Sequence, residues 1–439
     1  MHHRVSFQSA RVSLTLTLCI IMLSVLAACG GSGAPATTSG PVTITFWSWV
    51  PNLQTEVSLF EQSHPNIKVK LLNVGAGATE YTKLTTALKA GTGAPDVAQI
   101  EFQFLPQYEL TGKLVDLSQY GANTYKNDFV PWTWSQVSNG GKIYAIPQDS
   151  GPMGILYRED IFKKYNLPVP TTWAQFAQEA VTLHKDNPKI YITDFPASDG
   201  GWFTALVWQA GSQPFVVNGT NVKININDAA ALQVANYWGS LIKQGVLDTE
   251  ADFATDWYGG LSNGTIATWI TAAWAPTDLA SSASKTTGLW RAAPLPQWTA
   301  GGTASANWGG STDAVTTQSK YPAQAAQFAE WLNTNQQSVS DLTLKAYLFP
   351  TQTGELSDPS FSAPVAFYGN QAVNQVFSQS SHNVITTFQW SPFQDYVYTQ
   401  LQNQLASAVS GKITFAQALQ NTQNSVVSYA QAQGFTVSS

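Results

Sequence analysis

Between Pro41 and Glu101 the chain alternates short β-branched or aliphatic runs with longer amphipathic stretches, and this alternation narrows the possible folds more than any other feature. Val42–Trp47 (VTITFW) reads as a strand, 53–63 as a helix, Ile67–Leu72 as a second strand, 79–89 as a second helix and 96–100 as a third strand. The turn Gly91-Thr92-Gly93-Ala94-Pro95 separates the last two. Strands joined through helices pair in parallel, and the crossovers cover both faces of the sheet, so an α/β fold is expected. Ligand crevices in such sheets open at the carboxyl ends of the strands. Function is therefore sought in the loops after Phe46, after Ile100 and after later strands.

Upstream of this region, Arg4 and Arg11 precede an uncharged apolar run at 12–27. This is the layout of a secretory signal, and the run is shorter than the roughly 20 apolar residues a membrane span needs. The tetrapeptide Leu26-Ala27-Ala28-Cys29 resembles the lipobox of bacterial lipoproteins. That resemblance implies removal of residues 1–28 and a lipidated Cys29 held at the outer face of the cell membrane, where stable anchoring takes more than one acyl chain. Residues 29–40 then form a Gly/Ser/Thr-rich tether with a reach of about 20 Å.

Composition limits the chemistry open to the body of the chain. Cys19 and Cys29 are the only cysteines, so the body can form no internal disulfide and no thiolate metal site. The 439-residue chain leaves ample length for two domains beyond position 28. A formal charge of −6, more negative once Arg4 and Arg11 are set aside, argues against nucleic acid as a partner. Beyond the signal the only arginines are Arg158 and Arg291, which disfavours a phosphate or carboxylate ligand gripped by guanidinium forks. No G-x-S-x-G, H-E-x-x-H or Walker-type glycine loop occurs, and His64, His184 and His382 stand far apart without spaced partners. No enzyme, cofactor or metal is expected.

A longer series of segments carries a family resemblance: Ile44-Thr45-Phe46-Trp47, Ala94-Pro95-Asp96-Val97, the 112–117 run GKLVDL, the 142–149 run KIYAIPQD, the 156–162 run LYREDIF, Pro170-Thr171-Thr172-Trp173, Ala293-Pro294-Leu295-Pro296, Trp308-Gly309-Gly310-Ser311 and Phe328-Ala329-Glu330-Trp331-Leu332. In this order they resemble the extracellular solute-binding proteins (family 1, maltose-binding-protein-like) of carbohydrate ABC importers. The resemblance implies a hinged, two-lobe periplasmic-binding-protein-like fold of type II, each lobe a β-sheet flanked by helices. It places hinge crossings near 148–151, 307–310 and 357–362, and so lobe one at 41–149 plus 309–357 and lobe two at 150–308 plus 358–439. It also implies a sugar ligand, membrane permease subunits as partners and action as a monomer. A non-sugar ligand such as a polyamine and a surface-anchored carbohydrate-active enzyme are the alternatives.

A pyranose presents hydroxyls on its rim and a C–H face, so a sugar site combines aromatic platforms with side chains that bond hydroxyls. Trp47 and Trp49 flank the end of the first strand, Glu101 and Gln103 follow the third, Asp149 stands at the first crossing and Trp308 at the second. Strand alternation across 266–274 turns Trp269 inward and leaves Trp274 in the loop beyond. Trp390 lies where the resemblance places a ligand-stacking Trp. With Trp202 and Trp257, these ten residues are the expected ligand contacts, while Trp173, Trp238, Trp269 and Trp331 read as core.

Overall fold

The computed structural model describes residues 40–438; the signal segment, Cys29 and the tether up to Ser39 lie outside them. Within 41–438 the first strands fall where alternation puts them: Val42–Trp47 and Ile67–Leu72 to the residue, and Val97–Glu101 shifted by one. Of the intervening helices, Gln54–Ser63 starts one residue later than expected and Ala78–Ala90 runs one residue longer at each end. Gly91 ends the second of them in the left-handed conformation that glycine adopts without strain.

These strands belong to a five-stranded sheet with the order Ile67–Leu72, Val42–Trp47, Val97–Glu101, Ser311–Val315, Ile146–Pro147. The first three are parallel, as expected. Ser311–Val315 is antiparallel to both of its neighbours, so the sheet is mixed and not purely parallel. Its register sets Ser311 opposite Glu101 and Thr312 opposite Pro147. The start of Ser311–Val315 and the end of Ile146–Pro147 therefore share an edge with the carboxyl ends of the parallel strands. Two chain segments leave the sheet at the very edge where its ligand crevice opens.

A second sheet is antiparallel throughout, with Met153–Arg158 between Thr268–Ala272 and Trp290–Pro294. Helices such as Trp173–Asp186, closed by a Thr172–Gln175 capping box, and Gly200–Gln209 pack around it. Its core holds Trp173, Trp202, Trp238 and Trp269, and the Trp238 ring lies 5.7 Å from Trp173 and 5.3 Å from Trp202. A small hairpin, Phe215–Asn218 and Asn221–Ile224, is joined by Thr436–Ser438. The result is a two-lobe, hinged α/β fold of the type II binding-protein kind.

Candidate functional site

The hinge fixes the site. The Gly151 carbonyl accepts from the Trp308 amide at 2.8 Å, and the Gly151 amide donates to Asn307 Oδ1 at 2.7 Å, tying the two crossing segments together. Asp149 Oδ1 accepts from the Ser311 amide at 2.9 Å. Asp149 thus pins the segment before Gly151 to the start of Ser311–Val315, and burial raises its carboxyl to about 6.

On the first sheet's side, Ser48 Oγ donates to Gln99 Oε1 at 2.6 Å and the Trp49 amide donates to the same oxygen at 3.2 Å, which fixes the loop after the first strand. The Trp49 ring stands edge-on to Tyr81, 6.2 Å between centroids. Tyr81 donates its hydroxyl to Glu101 Oε2 at 2.9 Å and packs on Phe104 at 4.5 Å. Burial pushes Glu101 up to about 7, against the pull of bonds from Tyr81 and Gln103, and Asp149 and Asp199 add repulsion. Gln103 is buried and its Oε1 has no protein partner. Trp47 is half-buried on the opposite face of its strand from Phe46.

Facing these groups, Asp199 caps the helix Gly200–Gln209 by accepting from the Trp202 amide at 2.7 Å. Two glycines follow the cap. A Cβ on Gly200 would lie 3.1 Å from the Tyr398 ring, and one on Gly201 would lie 3.1 Å from Trp308 Nε1. Their bareness lets both rings reach the helix start. Tyr398 meets Phe104 edge-on at 6.2 Å, so an aromatic chain crosses from one lobe to the other. Trp274 donates Nε1–H to the Trp308 carbonyl at 3.0 Å, with the rings 4.9 Å apart. Trp308 is only 9% exposed and walls the cleft from the hinge side.

Phe253 completes this wall. It is 44% exposed, lies within 6.5 Å of the rings of Trp257, Tyr258, Trp269, Trp274 and Trp308, and has φ +63°. A bulky residue in the left-handed region is strained. Beside it, burial raises Asp252 to about 8, with Asp199 and Asp194 reinforcing the shift.

Three expected contacts are corrected. Trp202 is enclosed in the lobe-two core, with its Nε1–H donated to the Ile270 carbonyl at 3.0 Å, and has no face for a ligand. Trp257 is likewise enclosed, packed edge-on to Trp269 at 4.9 Å, where it buttresses Phe253. Trp390 packs against Trp208 and Phe388 and lines a different groove. Of the rest, Trp49, Glu101 and Gln103 are linked through Tyr81 and Phe104 to Tyr398, and Trp274 and Trp308 pack with Phe253, while among the described residues no side-chain contact joins Trp47 to either group; Tyr81, Phe104, Asp199, Asp252, Phe253 and Tyr398 were not foreseen.

Both arginines are engaged elsewhere: Arg158 with Asp160 at 2.8 Å and Arg291 with Glu159 at 2.8 Å. Among the described residues no ion pair involves the cleft carboxyls, and no cluster has the makings of a metal site. Glu101, Asp149 and Asp252 hold protons in the folded chain above the ordinary carboxylate range, as do the buried Asp313 and Glu179 at about 7. The native state therefore binds more protons than the unfolded chain between about pH 4 and 8, and stability must fall as pH rises through that window. We expect the thermal midpoint to decline steadily from pH 5 to pH 8; a midpoint that climbs over the same interval would show these carboxyls to be ionised in the folded protein.

A two-lobe trap with an aromatic, carboxyl-bearing, arginine-free cleft defines a small-molecule binding protein. Residues 46–339 match the family described as bacterial extracellular solute-binding protein, and the chain belongs to that family. It is 24% identical over 326 residues to an arabinooligosaccharide-binding protein of Bacillus subtilis, covering 71% of this chain and 74% of that one. To a lactose-binding protein of Rhizobium radiobacter it is 25% identical over 360 residues, 76% and 81% of the two chains. Among solved structures, the ABC transporter associated binding protein of B. animalis subsp. lactis in complex with β-1,6-galactobiose superposes with a TM-score of 0.78 at 32% identity, over 91% of this chain and 100% of that one. The galacto-N-biose/lacto-N-biose I-binding protein of Bifidobacterium longum gives 0.81 at 26%, over 92% and 100%. These relatives are binding proteins. No described helix is long and apolar enough to cross a membrane.

Proposed function

We propose that the chain captures a neutral sugar or short oligosaccharide between its lobes and delivers it to the permease of an ABC importer. The observation that carries this reading is the cleft itself: the Trp274–Trp308–Phe253 wall faces Trp49, Tyr81, Phe104 and Tyr398 across carboxyl acceptors, with both arginines elsewhere. Aromatic rings meet the C–H face of a pyranose, and Glu101, Asp199 and Asp252 meet its hydroxyls. Relatives named for the sugars they bind support the same class.

The lobes divide at the hinge, lobe one comprising 41–149 plus 309–357 and lobe two 150–308 plus 358–439. In support, the Thr353 hydroxyl donates to the Asp128 carbonyl on one side, while the Gln371 side chain bonds the Ala292 amide and carbonyl on the other. Lipidated Cys29 tethers the monomer at the outer membrane face beside its permease. Closure is driven by ligand bridging both halves, because only differential contact with the closed state shifts that equilibrium.

The experiment is a titration of the purified chain with lactose, β-1,6-galactobiose, lacto-N-biose and arabino-oligosaccharides, read by Trp fluorescence. Saturable quenching with sugar recovered intact is expected. Shortened products would instead make the protein a carbohydrate-active enzyme. Uncompensated carboxyls at Glu101, Asp149, Asp199 and Asp252 favour a second reading, a cationic ligand such as a polyamine, and putrescine and spermidine belong in the same titration.

Phe253 offers a sharper check. Replacing it with Gly relieves a left-handed strain of about 1–2 kcal/mol and removes one wall. Phe253→Gly should leave the thermal midpoint unchanged or higher while weakening sugar binding roughly 5- to 10-fold, on the scale of one lost aromatic contact. A lowered midpoint with intact affinity would make the residue a packing element only.

A further inference from the structure

The rings around the cleft form a horseshoe. From the loop after the first strand, Trp49 meets Tyr81, Tyr81 packs on Phe104, and Phe104 meets Tyr398 edge-on at 6.2 Å. Tyr398, on the helix Gln394–Val409, leans on Gly200, and Trp308 leans on the next residue, Gly201; a Cβ on either glycine would come within 3.1 Å of the ring beside it. Trp308 then continues to Trp274 and Phe253. Packing thus runs unbroken from Trp49 to Phe253, whereas among the described residues no ring contact joins Phe253 back to Trp49. Exposure matches this shape: Tyr81 and Phe104 are buried, and Phe253 is the one exposed ring of the series.

The Phe104–Tyr398 end is shut. By the division above, Phe104 belongs to lobe one and Tyr398 to lobe two. A pyranose held between two rings needs a gap of about 7–8 Å, twice a carbon–carbon contact distance. Edge-on rings with centroids 6.2 Å apart leave a narrower gap than that. The closure also continues behind this pair. Two turns along the helix Gly200–Gln209, about 12 Å by the helical rise, Trp208 meets Trp132 of lobe one edge-on at 6.2 Å. Phe388 stacks flat on Trp208 at 4.3 Å, and its carbonyl accepts from Gln136 Nε2 of lobe one at 2.9 Å. Trp132 in turn packs on Phe102, two residues before Phe104, at 5.6 Å. At the other end, Phe253 stands exposed to solvent.

We infer that the Phe104–Tyr398 contact determines specificity by stopping the cleft at one end, so that the ligand is a sugar held by a chain terminus, with its terminal unit against this pair and further units leaving past Phe253. The inference rests on the sugar-binding reading above and narrows it, from any neutral oligosaccharide to one recognised from its end. Units inside the horseshoe meet aromatic rings and the carboxyls of Glu101, Asp199 and Asp252. Units beyond Phe253 meet water and add little affinity.

Calorimetric titration of the full chain tests it, with β-1,6-galacto-, arabino- and malto-oligosaccharides of one to five units, and with the trimer of each series carrying a benzyl group either as the reducing-end glycoside or as an ether on the non-reducing terminal unit. In the wild type, Kd should tighten at least roughly tenfold from the monosaccharide to the trimer, the scale of added aromatic contacts, and then stay within about threefold up to the pentamer. One benzylated trimer should bind as the free trimer does, and the other at least about tenfold more weakly. Phe104→Ala removes the lobe-one half of the stop and should shrink the difference between the two benzylated trimers at least about fivefold. General damage to the fold would weaken both trimers alike and leave that difference intact. Phe104→Leu, which keeps most of the packing on Tyr81, should shrink it less and provides the comparison if the Ala variant does not fold. Affinity that keeps rising through the pentamer, tolerance of both benzyl groups or of neither, or an unchanged difference in a folded Phe104 variant overturns the closed end and leaves sugar binding in the cleft standing. No binding of any sugar to the wild type overturns both.

Discussion

Gly151→Ala is expected to destabilise the fold by roughly 3 kcal/mol or more and to abolish sugar binding. A Cβ at this position would lie 1.9 Å from the Trp308 carbonyl oxygen and 2.9 Å from its carbon. Both are backbone atoms, so no rotamer change relieves the clash; the two hinge segments must separate. Separation breaks the Trp308 amide bond to the Gly151 carbonyl and displaces the oxygen that receives Trp274 Nε1–H. One methyl group thus acts on the hinge and on the aromatic wall together. Gly259→Ala is the control, since a Cβ there meets nothing within 4 Å and a helical Gly→Ala change is neutral or stabilising. Denaturant unfolding and a sugar titration on both variants check the result. Native-like stability in Gly151→Ala would mean that the hinge can part without cost.

The clash also marks which parts of the molecule could be read in advance. Strand and helix positions in the first hundred residues were legible because they depend on local alternation and on turns such as Gly91–Pro95, where neighbours in sequence decide the conformation. The antiparallel entry of Ser311–Val315 beside Val97–Glu101 joins segments more than two hundred residues apart, and no local pattern records it. The same limit governs the site. Strand-end and hinge positions singled out Trp49, Glu101, Asp149, Trp274 and Trp308 as candidates, because chain order places the edge of a sheet. Burial of Trp202 follows from the helix that Asp199 caps, whose inward face is set only by packing on Trp238.

Two misses have different causes. Trp390 and Tyr398 are eight residues apart around the start of the helix Gln394–Val409, and only the way that helix lies against Gly200 brings Tyr398, not Trp390, to the cleft. The family resemblance favoured the tryptophan. Phe253 was hidden for the opposite reason: its left-handed backbone contradicts the preference of its side chain, so local rules argue against the conformation it adopts. Such conflicts are expected where function constrains the chain. The Asp199-Gly200-Gly201-Trp202 run did carry a readable signal, a capping Asp followed by residues without side chains, which suits a helix start that other groups must approach.

Trp274 separates stacking from hinge support, and two substitutions at this one position pull them apart. Trp274→Ala removes a ring that touches Trp308, Trp269 and Phe253, and it removes the donor to the Trp308 carbonyl. Loss of an aromatic platform together with its apolar burial is worth about 1–3 kcal/mol, so sugar affinity should fall roughly 10- to 100-fold. Trp274→Phe keeps most of the ring face and loses only the N–H. If stacking on the ligand is the main role, Phe retains affinity within a few-fold of wild type while Ala does not. If the bond to the Trp308 carbonyl governs hinge geometry, both variants lose affinity alike and both show a lowered unfolding midpoint. The half-buried position of Trp274, with one edge on the hinge and the other toward the cleft, favours the first outcome, because the Gly151–Trp308 bond and the Asn307 side chain hold the crossing without it. Unchanged affinity in Trp274→Ala would remove this wall from the binding site altogether.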